Sequence, residues 1–187
     1  MGKSLPAISL QIDERLPKTV GFDNNAHSRC LKRIIEWAND YKLPEFRTYD
    51  AVPRDISQLN SMRYLIVKDN YGITEIPEEL AQLPFLQAIC LENNQIVSIP
   101  AALYECSSLQ RIDLGNNEIT CIEDGIHALR NVYSIDLRCN KLKHVTPDIA
   151  KMPSLRKLDI RNQRTPIDFM RAAYTPLSNE SLTRSIH

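Results

Sequence analysis

One pattern is written three times along the chain, as LQAICLENNQI (86–96), LQRIDLGNNEI (109–119) and VYSIDLRCNKL (132–142). Each line has apolar residues at its first, fourth, sixth and eleventh places and an asparagine at its ninth. Successive lines start 23 residues apart, and a further line starts at Leu155 after the same interval. A fixed period of this length indicates that one short structural unit is repeated and stacked along the chain.

The alternation of apolar and polar places predicts a short strand at the start of each unit. One unit cannot bury its own apolar face, so stacked copies must share a continuous core. The asparagine follows the strand, where the backbone turns and loses its ladder partners, and an amide can both donate to and accept from such groups. We therefore expect a structural ladder of asparagines along the stack: Asn70, Asn94, Asn117 and Asn140.

The second half of each unit places apolar residues three apart, as in Ile76-Pro77-x-x-Leu80 and Ile99-Pro100-x-x-Leu103. This spacing suits a single helical or 3₁₀ turn better than a long helix. A proline is tolerated where such a turn begins, because the N–H that it lacks would be unpaired there anyway. The sequence therefore predicts short helical segments on the side opposite the strands.

These repeats resemble those of the leucine-rich repeat family, and in particular the 23-residue intracellular class of Ras-suppressor-type proteins, which is also found in bacterial effectors. The resemblance implies an α/β fold, a short solenoid with a parallel sheet on its concave face and short helical or 3₁₀ segments on its convex face. It also implies that the concave face binds another macromolecule. Fold alone does not fix the function, however.

The chain divides into three regions by its pattern. Region 1–48 is expected to be an N-terminal cap, with an amphipathic helix at about 28–41 that covers the open end of the core; a docking helix for a partner is the alternative. The repeats occupy 49–165, and the first full unit has one extra residue just after Asn70, which predicts a bulge. Gln163 stands where the last unit should have asparagine. Region 166–187 is expected to be a closing segment and a polar tail.

Composition disfavours several classes of function. The formal net charge is zero, so no overall field attracts nucleic acid. The absence of an 18-residue apolar run argues against a membrane span, and the N-terminus lacks the apolar core of a secretory signal. Five scattered cysteines form none of the close pairs typical of zinc sites or extracellular caps. We therefore expect a cytoplasmic protein, or one secreted into a host cell if it is a bacterial effector.

Strand alternation identifies the side chains that point out of the sheet, at the third, fifth and seventh places of each unit. The predicted anchor at the N-terminal end is apolar and aromatic, whereas the C-terminal half interleaves acidic and basic residues. Predicted partner-binding residues are Tyr64, Ile66, Arg111, Asp113, Asp136, Arg138, Asp159 and Arg161. The competing interpretation is that the crossed charges only keep the sheet soluble.

An enzyme is disfavoured, because the repeat geometry offers no convergent pocket and the four histidines are dispersed. No catalytic residue, metal or cofactor is predicted. The first hypothesis is a non-enzymatic module that binds a protein partner through its concave face. The alternative is a secreted bacterial effector that uses the same face on a host protein, and a third is a structural subunit of a larger assembly. Partner identity and oligomeric state stay open.

Overall fold

The computed structural model describes residues 26–43, 52–53 and 55–164 of the 187-residue chain. The predicted closing segment and tail at 166–187 lie outside the described residues. Seven strands occur in these ranges: β1 Tyr64–Ile66, β2 Ala88–Cys90, β3 Arg111–Asp113, β4 Cys121–Ile122, β5 Ser134–Asp136, β6 His144–Val145 and β7 Lys157–Asp159. Five of them form one parallel sheet in the order β1-β2-β3-β5-β7, one strand per repeat.

Short 3₁₀ helices lie in the second halves of four repeats, at Glu78–Gln82, Ala101–Glu105, Ile126–Ala128 and Pro147–Lys151. Proline stands at or just before the start of three of them, where its fixed φ suits a turn and its missing N–H is not needed. The predicted solenoid, with a parallel sheet on one side and short 3₁₀ segments on the other, is confirmed. The short β4–β6 pair beside the 3₁₀ helices was not predicted.

The core runs continuously through the stack. The apolar side chains at the first, fourth and sixth places of the second, third and fourth repeats are at most 1% exposed. They are Leu86, Ile89, Leu91, Leu109, Ile112, Leu114, Val132, Ile135 and Leu137. Burial at these places weakens in the last repeat, where Leu155 and Leu158 are partly exposed.

Within the described ranges, two α-helices precede the sheet, α1 Ala26–Asp40 and α2 Ile56–Asn60. Helix α1 packs against α2 and against the 3₁₀ helix Glu78–Gln82. Its Leu31 and Ile34 are fully buried and join the core of the repeats. No helix in the described parts of the chain is long and apolar enough to cross a lipid bilayer.

Polar contacts fix α1 onto the first repeat. The indole Nε1 of Trp37 donates to the backbone oxygen of Glu75 at 3.0 Å, and the Arg33 guanidinium lies 2.7 Å from a carboxylate oxygen of Glu79. The hydroxyl groups of Tyr41 and Thr74 share a hydrogen bond of 2.7 Å. The C-terminal half of α1 and the residue that follows the helix are thus attached to the outer side of the first full repeat.

Asn117 shows how the asparagine ladder works. Its Nδ2 donates to the backbone oxygens of Leu91, Leu114 and Gly115 at 2.9, 3.1 and 3.2 Å. Its Oδ1 accepts from the backbone N–H of Ile96 at 3.0 Å. One fully buried amide thus satisfies backbone groups of its own repeat and of the preceding one, which buried backbone groups require. Asn140 repeats the arrangement one unit later.

The two ends of the ladder differ from the prediction. Asn70 is exposed, because the first repeat is one residue longer beyond it and Tyr71 adopts a left-handed φ of 56°. The neighbouring Asn94 donates as the later asparagines do, but its Oδ1 is buried without a hydrogen-bond partner among the described residues. Gln163, in contrast, replaces asparagine functionally, since its Oε1 accepts from the N–H of Leu142 at 3.0 Å. The ladder therefore comprises Asn94, Asn117, Asn140 and Gln163.

A second column of polar residues lines the same turns, at the eighth place of each repeat. All five residues have left-handed backbone with φ between 53° and 59°: Asp69, Asn93, Asn116, Cys139 and Asn162. Aspartate and asparagine tolerate this conformation better than other non-glycine residues. The composition of the eighth place is therefore explained by the turn that follows each strand, with Cys139 as the exception.

Candidate functional site

The parallel register places equivalent residues of successive repeats side by side, so outward side chains form columns. The third-place column is Tyr64, Ala88, Arg111, Ser134 and Lys157, and the fifth-place column is Ile66, Cys90, Asp113, Asp136 and Asp159. Adjacent strands lie about 4.7–4.9 Å apart, so neighbours within a column are in direct reach of each other. We call this outward surface of the five-stranded sheet, with the seventh-place residues beside it, the sheet face. All eight predicted partner-binding residues lie on it.

Glu92 is the centre of an ion-pair network on the sheet face. Its two carboxylate oxygens lie 3.2 Å from Lys68 Nζ and 2.7 Å from Arg138 Nη2. Arg138 also lies 3.5 Å from a carboxylate oxygen of Asp136. Because Arg138 belongs to the fourth repeat and Glu92 to the second, one arginine side chain spans the repeat between them.

The Arg138 side chain passes over Gly115 on its way to Glu92. Gly115 occupies the seventh place of the third repeat, where the other repeats carry Lys68, Glu92, Arg138 and Arg161. A Cβ atom at Gly115 would lie 3.4 Å from both Cγ and Nε of Arg138. Glycine therefore leaves a shallow channel in the sheet face, and the Arg138 side chain fills it.

The three aspartates of the fifth-place column are held beneath basic side chains. Arg111 Nη2 donates to Asp113 at 3.1 Å, and Arg161 donates through Nε and Nη2 to the two oxygens of Asp159 at 2.9 and 2.7 Å. The aspartate side chains are 4–8% exposed, whereas the arginine side chains that pair with them are 38–74% exposed. The carboxylates thus form the floor of the sheet face and the guanidinium groups its outer layer.

Asp136 and Asp159, which are neighbours in this column, have opposite pKa shifts. Burial raises the pKa of Asp136, and the flanking charges of Asp113 and Asp159 add to this effect against opposing contacts from Arg138. Hydrogen bonds from the Arg161 side chain lower the pKa of Asp159 and outweigh its burial. Burial also opposes ionisation of Glu92, but hydrogen bonds from Arg138 and Lys68 outweigh it and lower the pKa of Glu92.

These directions predict opposite effects for two matched substitutions. Asp136→Asn should raise the free energy of unfolding at neutral pH, because a raised pKa means that the ionised form destabilises the native state, and the gain should shrink as pH falls through that raised pKa. Asp159→Asn should lower the free energy of unfolding at neutral pH. A lowered pKa means that the ionised carboxylate stabilises the native state, and this stability is lost only as pH falls through the folded-state pKa. Urea denaturation of both variants at neutral pH and at about pH 4 measures this, and effects of the same sign at neutral pH would contradict it.

The apolar end of the sheet face is smaller than the sequence suggests. Tyr64 and Ile66 are half-buried, and the Tyr64 hydroxyl donates to Gln87 Oε1 at 3.3 Å. Ala88 and Cys90, the next residues in the same two columns, are at most 9% exposed and add little to this apolar area. Burial, with the charge of Asp113, raises the pKa of the Cys90 thiol, so the thiolate needed for nucleophilic chemistry is disfavoured.

Other potentially reactive groups lie away from the sheet face. His127 Nδ1 is 3.0 Å from a carboxylate oxygen of Asp148 near the 3₁₀ helices, and Lys151 pairs with the same aspartate at 2.7 Å. These contacts, with a backbone N–H from Gly125, lower the pKa of Asp148 to about 2, the Lys151 hydrogen bond being the largest cause. In the ranges that the structure covers, no three His, Cys, Asp or Glu side chains are arranged to hold a metal ion.

Two features of the sheet face were missed at the level of sequence. Lys68 and Glu92 occupy the seventh place, which was predicted to point outward, but the ion-pair network that joins them was not predicted. The passage of Arg138 over Gly115 was not predicted either. The signal for both was present, because glycine is the only uncharged residue in the seventh-place column. Interpreting this signal required knowing that the Arg138 side chain of the next repeat extends over Gly115 to Glu92.

Comparison with known proteins agrees with this architecture. A family model described as a leucine-rich repeat region matches residues 46–184, and no curated protein matches the chain. A leucine-rich repeat protein of Leptospira interrogans has a similar solved structure, with 21% identity and a TM-score of 0.54; the match covers 72% of this chain and 41% of that one.

Two further solved structures are similar at lower scores. A plant peptide hormone receptor, RGFR1, solved in complex with RGF2, has 22% identity, a TM-score of 0.48 and coverage of 60% of this chain and 19% of the receptor. An internalin from Listeria monocytogenes has 20% identity, a TM-score of 0.47 and coverage of 63% and 34%. This chain spans less than half the length of each of the three proteins, and at these identities the likeness concerns the fold alone. Because the family model matches more than half of the residues, the protein belongs to the leucine-rich repeat family.

Proposed function

We propose that this chain is a non-enzymatic module that binds a protein partner through the sheet face. Leucine-rich repeat proteins are typically binding modules, and the fold generally mediates protein–protein interaction. For this chain we propose two points, that its partner is a protein and that the sheet face is the surface that binds it. The alternative, a secreted bacterial effector, concerns where the chain acts; it stays a prediction and would use the same surface.

The observation that supports the sheet face most strongly is its pre-organisation. Long side chains such as Arg138 and Arg161 lose conformational entropy when a partner immobilises them, at about 0.5–1.5 kcal/mol each. Here both are already held by carboxylates, Arg138 by Glu92 and Asp136 and Arg161 by Asp159. A partner that binds this surface therefore meets side chains whose positions are largely set.

A steric substitution on the second half of the sheet face tests the proposal. Ser134 lies on β5, between Arg111 and Lys157 in the third-place column, and Ser134→Trp adds bulk there without a change of charge. Ala101→Trp is the matched control, because Ala101 is exposed at the start of a 3₁₀ helix on the other side. Both variants would first be shown to fold by circular dichroism and thermal denaturation.

Affinity capture from a lysate of the source cells then compares the two variants with the native chain. We expect Ser134→Trp to lose a protein that the native chain and Ala101→Trp retain. If Ala101→Trp loses the captured protein and Ser134→Trp retains it, the proposal is contradicted. The binding surface would then lie on the side of the 3₁₀ helices.

A further inference from the structure

The charges of the sheet face are separated by depth as well as by sign. Five basic residues lie on it, Lys68, Arg111, Arg138, Lys157 and Arg161, with four acidic residues, Glu92, Asp113, Asp136 and Asp159. By number the face is almost neutral. By exposure it is not, because the acidic side chains in ion pairs are 4–17% exposed and the basic ones 37–74%.

A partner that approaches the sheet face therefore meets cations first. The buried carboxylates orient the arginines but leave them donors to spare, since a guanidinium has five N–H donors. Arg161, for example, contacts Asp159 through Nε and Nη2, and its side chain is still 74% exposed. Charge-assisted hydrogen bonds from such groups to carboxylates are among the stronger polar contacts at interfaces.

The exposed positive charge is concentrated in the second half of the sheet. Strands β3, β5 and β7 contribute Arg111, Lys157 and the arginines just after β5 and β7, Arg138 and Arg161. The first half contributes only Lys68 among the basic outward residues, and Lys68 is bound to Glu92 at 3.2 Å with Asp113 at 4.0 Å. Exposed positive charge therefore increases from the first to the second half of the sheet, and the second half is the candidate docking surface.

Resting on the proposed function, we propose that the partner docks an acidic polypeptide segment on the second half of the sheet face, against Arg111, Arg138, Lys157 and Arg161. The glutamate or aspartate side chains of that segment pair with the outward donors of the arginines, while the buried carboxylates keep the guanidinium groups in place. Basic segments are disfavoured, because the carboxylates that would attract them are covered.

Nucleic acid fits this surface less well than an acidic polypeptide. The whole chain has zero formal net charge, so it lacks the overall positive field that dominates phosphate binding. Single strands also need aromatic platforms for base stacking. The exposed large apolar residues in the part of the chain described here are Tyr71, Phe85, Val97 and Tyr133, and none of them is in the outward columns of the sheet.

Titration of the native chain with three defined probes tests the inference: poly-L-glutamate, poly-L-lysine and a double-stranded DNA oligonucleotide. Binding is followed by calorimetry and by NMR shifts of the arginine Nε–H groups. We expect poly-L-glutamate to bind more tightly than the other two, to shift the signals of Arg111, Arg138 and Arg161, and to weaken as salt is added. Equal or tighter binding of poly-L-lysine or of DNA would overturn the inference.

A pair of double variants locates the binding. Arg138→Gln with Arg161→Gln should weaken poly-L-glutamate binding by more than about tenfold, because charge-assisted hydrogen bonds from both side chains to the probe are lost. Arg130→Gln with Lys143→Gln removes the same charge at exposed positions outside the sheet face and should leave binding unchanged. Equal weakening in both pairs would overturn the inference. The native chain's salt dependence and NMR shifts decide the matter if the first pair folds poorly.

The Ser134→Trp capture experiment and the poly-L-glutamate titration test the proposed function and the charge preference separately. If Ser134→Trp abolishes capture of a partner while poly-L-glutamate fails to bind the native chain, the sheet face is the binding surface but its partner is not acidic. If poly-L-glutamate binds at the arginines while Ser134→Trp captures the same proteins as the native chain, the preference for acidic chains is supported. The proposal that the captured proteins bind the sheet face is then refuted.

Discussion

Trp37→Ala is expected to lower the free energy of unfolding by about 3–5 kcal/mol, the range for truncating a buried aromatic side chain. Trp37 is 5% exposed in the core between α1 and the first repeat. Its indole N–H donates to the backbone oxygen of Glu75, and its ring packs edge-to-face on Tyr41 with centroids 5.9 Å apart. Since single domains are stable by only about 5–15 kcal/mol, this loss is a large fraction of the total.

Urea denaturation of the native and variant chains measures the effect. Glu36→Ala is the matched control on the same helix, because Glu36 is exposed and surface substitutions usually change stability by less than about 0.5 kcal/mol. The comparison also separates the two interpretations of α1. A loss below about 1 kcal/mol for Trp37→Ala would mean that the helix is peripheral to the core, and a docking helix would then be the better interpretation than a cap.

Asn117→Ala is expected to lower the free energy of unfolding by about 1–3 kcal/mol, the range for leaving buried polar groups unpaired. The substitution removes the partner of the buried Ile96 N–H. It also removes one of the two donors to the backbone oxygens of Leu91, Leu114 and Gly115. Because these groups belong to two repeats, the loss should affect the stacking between them as well as one turn. Thermal or urea denaturation measures it.

Asn116→Gly is the control for the ladder. Asn116 precedes Asn117 directly, is exposed and has a φ of 53°, which glycine adopts without strain. The substitution should change stability by no more than about 0.5 kcal/mol. If the two variants lose equal stability, the contribution of the buried amide would be refuted, and the turn itself would be the sensitive feature.

The fold was predictable because the same apolar pattern recurs in every full repeat. Apolar residues at the first, fourth and sixth places of each unit indicate which side of its strand is buried. The apolar residues spaced three apart in the second half of each unit likewise indicated the 3₁₀ segments. The role of Gln163 was not predicted, because a longer amide reaches the same backbone groups only in the specific geometry of the last repeat.

The sheet face was predictable in its membership but not in its internal arrangement. Alternation identifies which side chains point outward, and the register follows from the constant period. It does not show that Asp113, Asp136 and Asp159 are buried, because their burial depends on the arginines that fold over them. The contact from Arg138 to Glu92 crosses 46 positions of sequence, and a flexible side chain selects such a partner only in three dimensions.

Contact between a protein partner and the sheet face can be tested by site-specific photo-crosslinking. A benzophenone side chain replaces Ser134 in one chain and Ala101 in another, and both are irradiated with the partner bound. We expect a covalent product from position 134 and none from position 101. A product from position 101 alone would refute contact at the sheet face and place the partner on the side of the 3₁₀ helices.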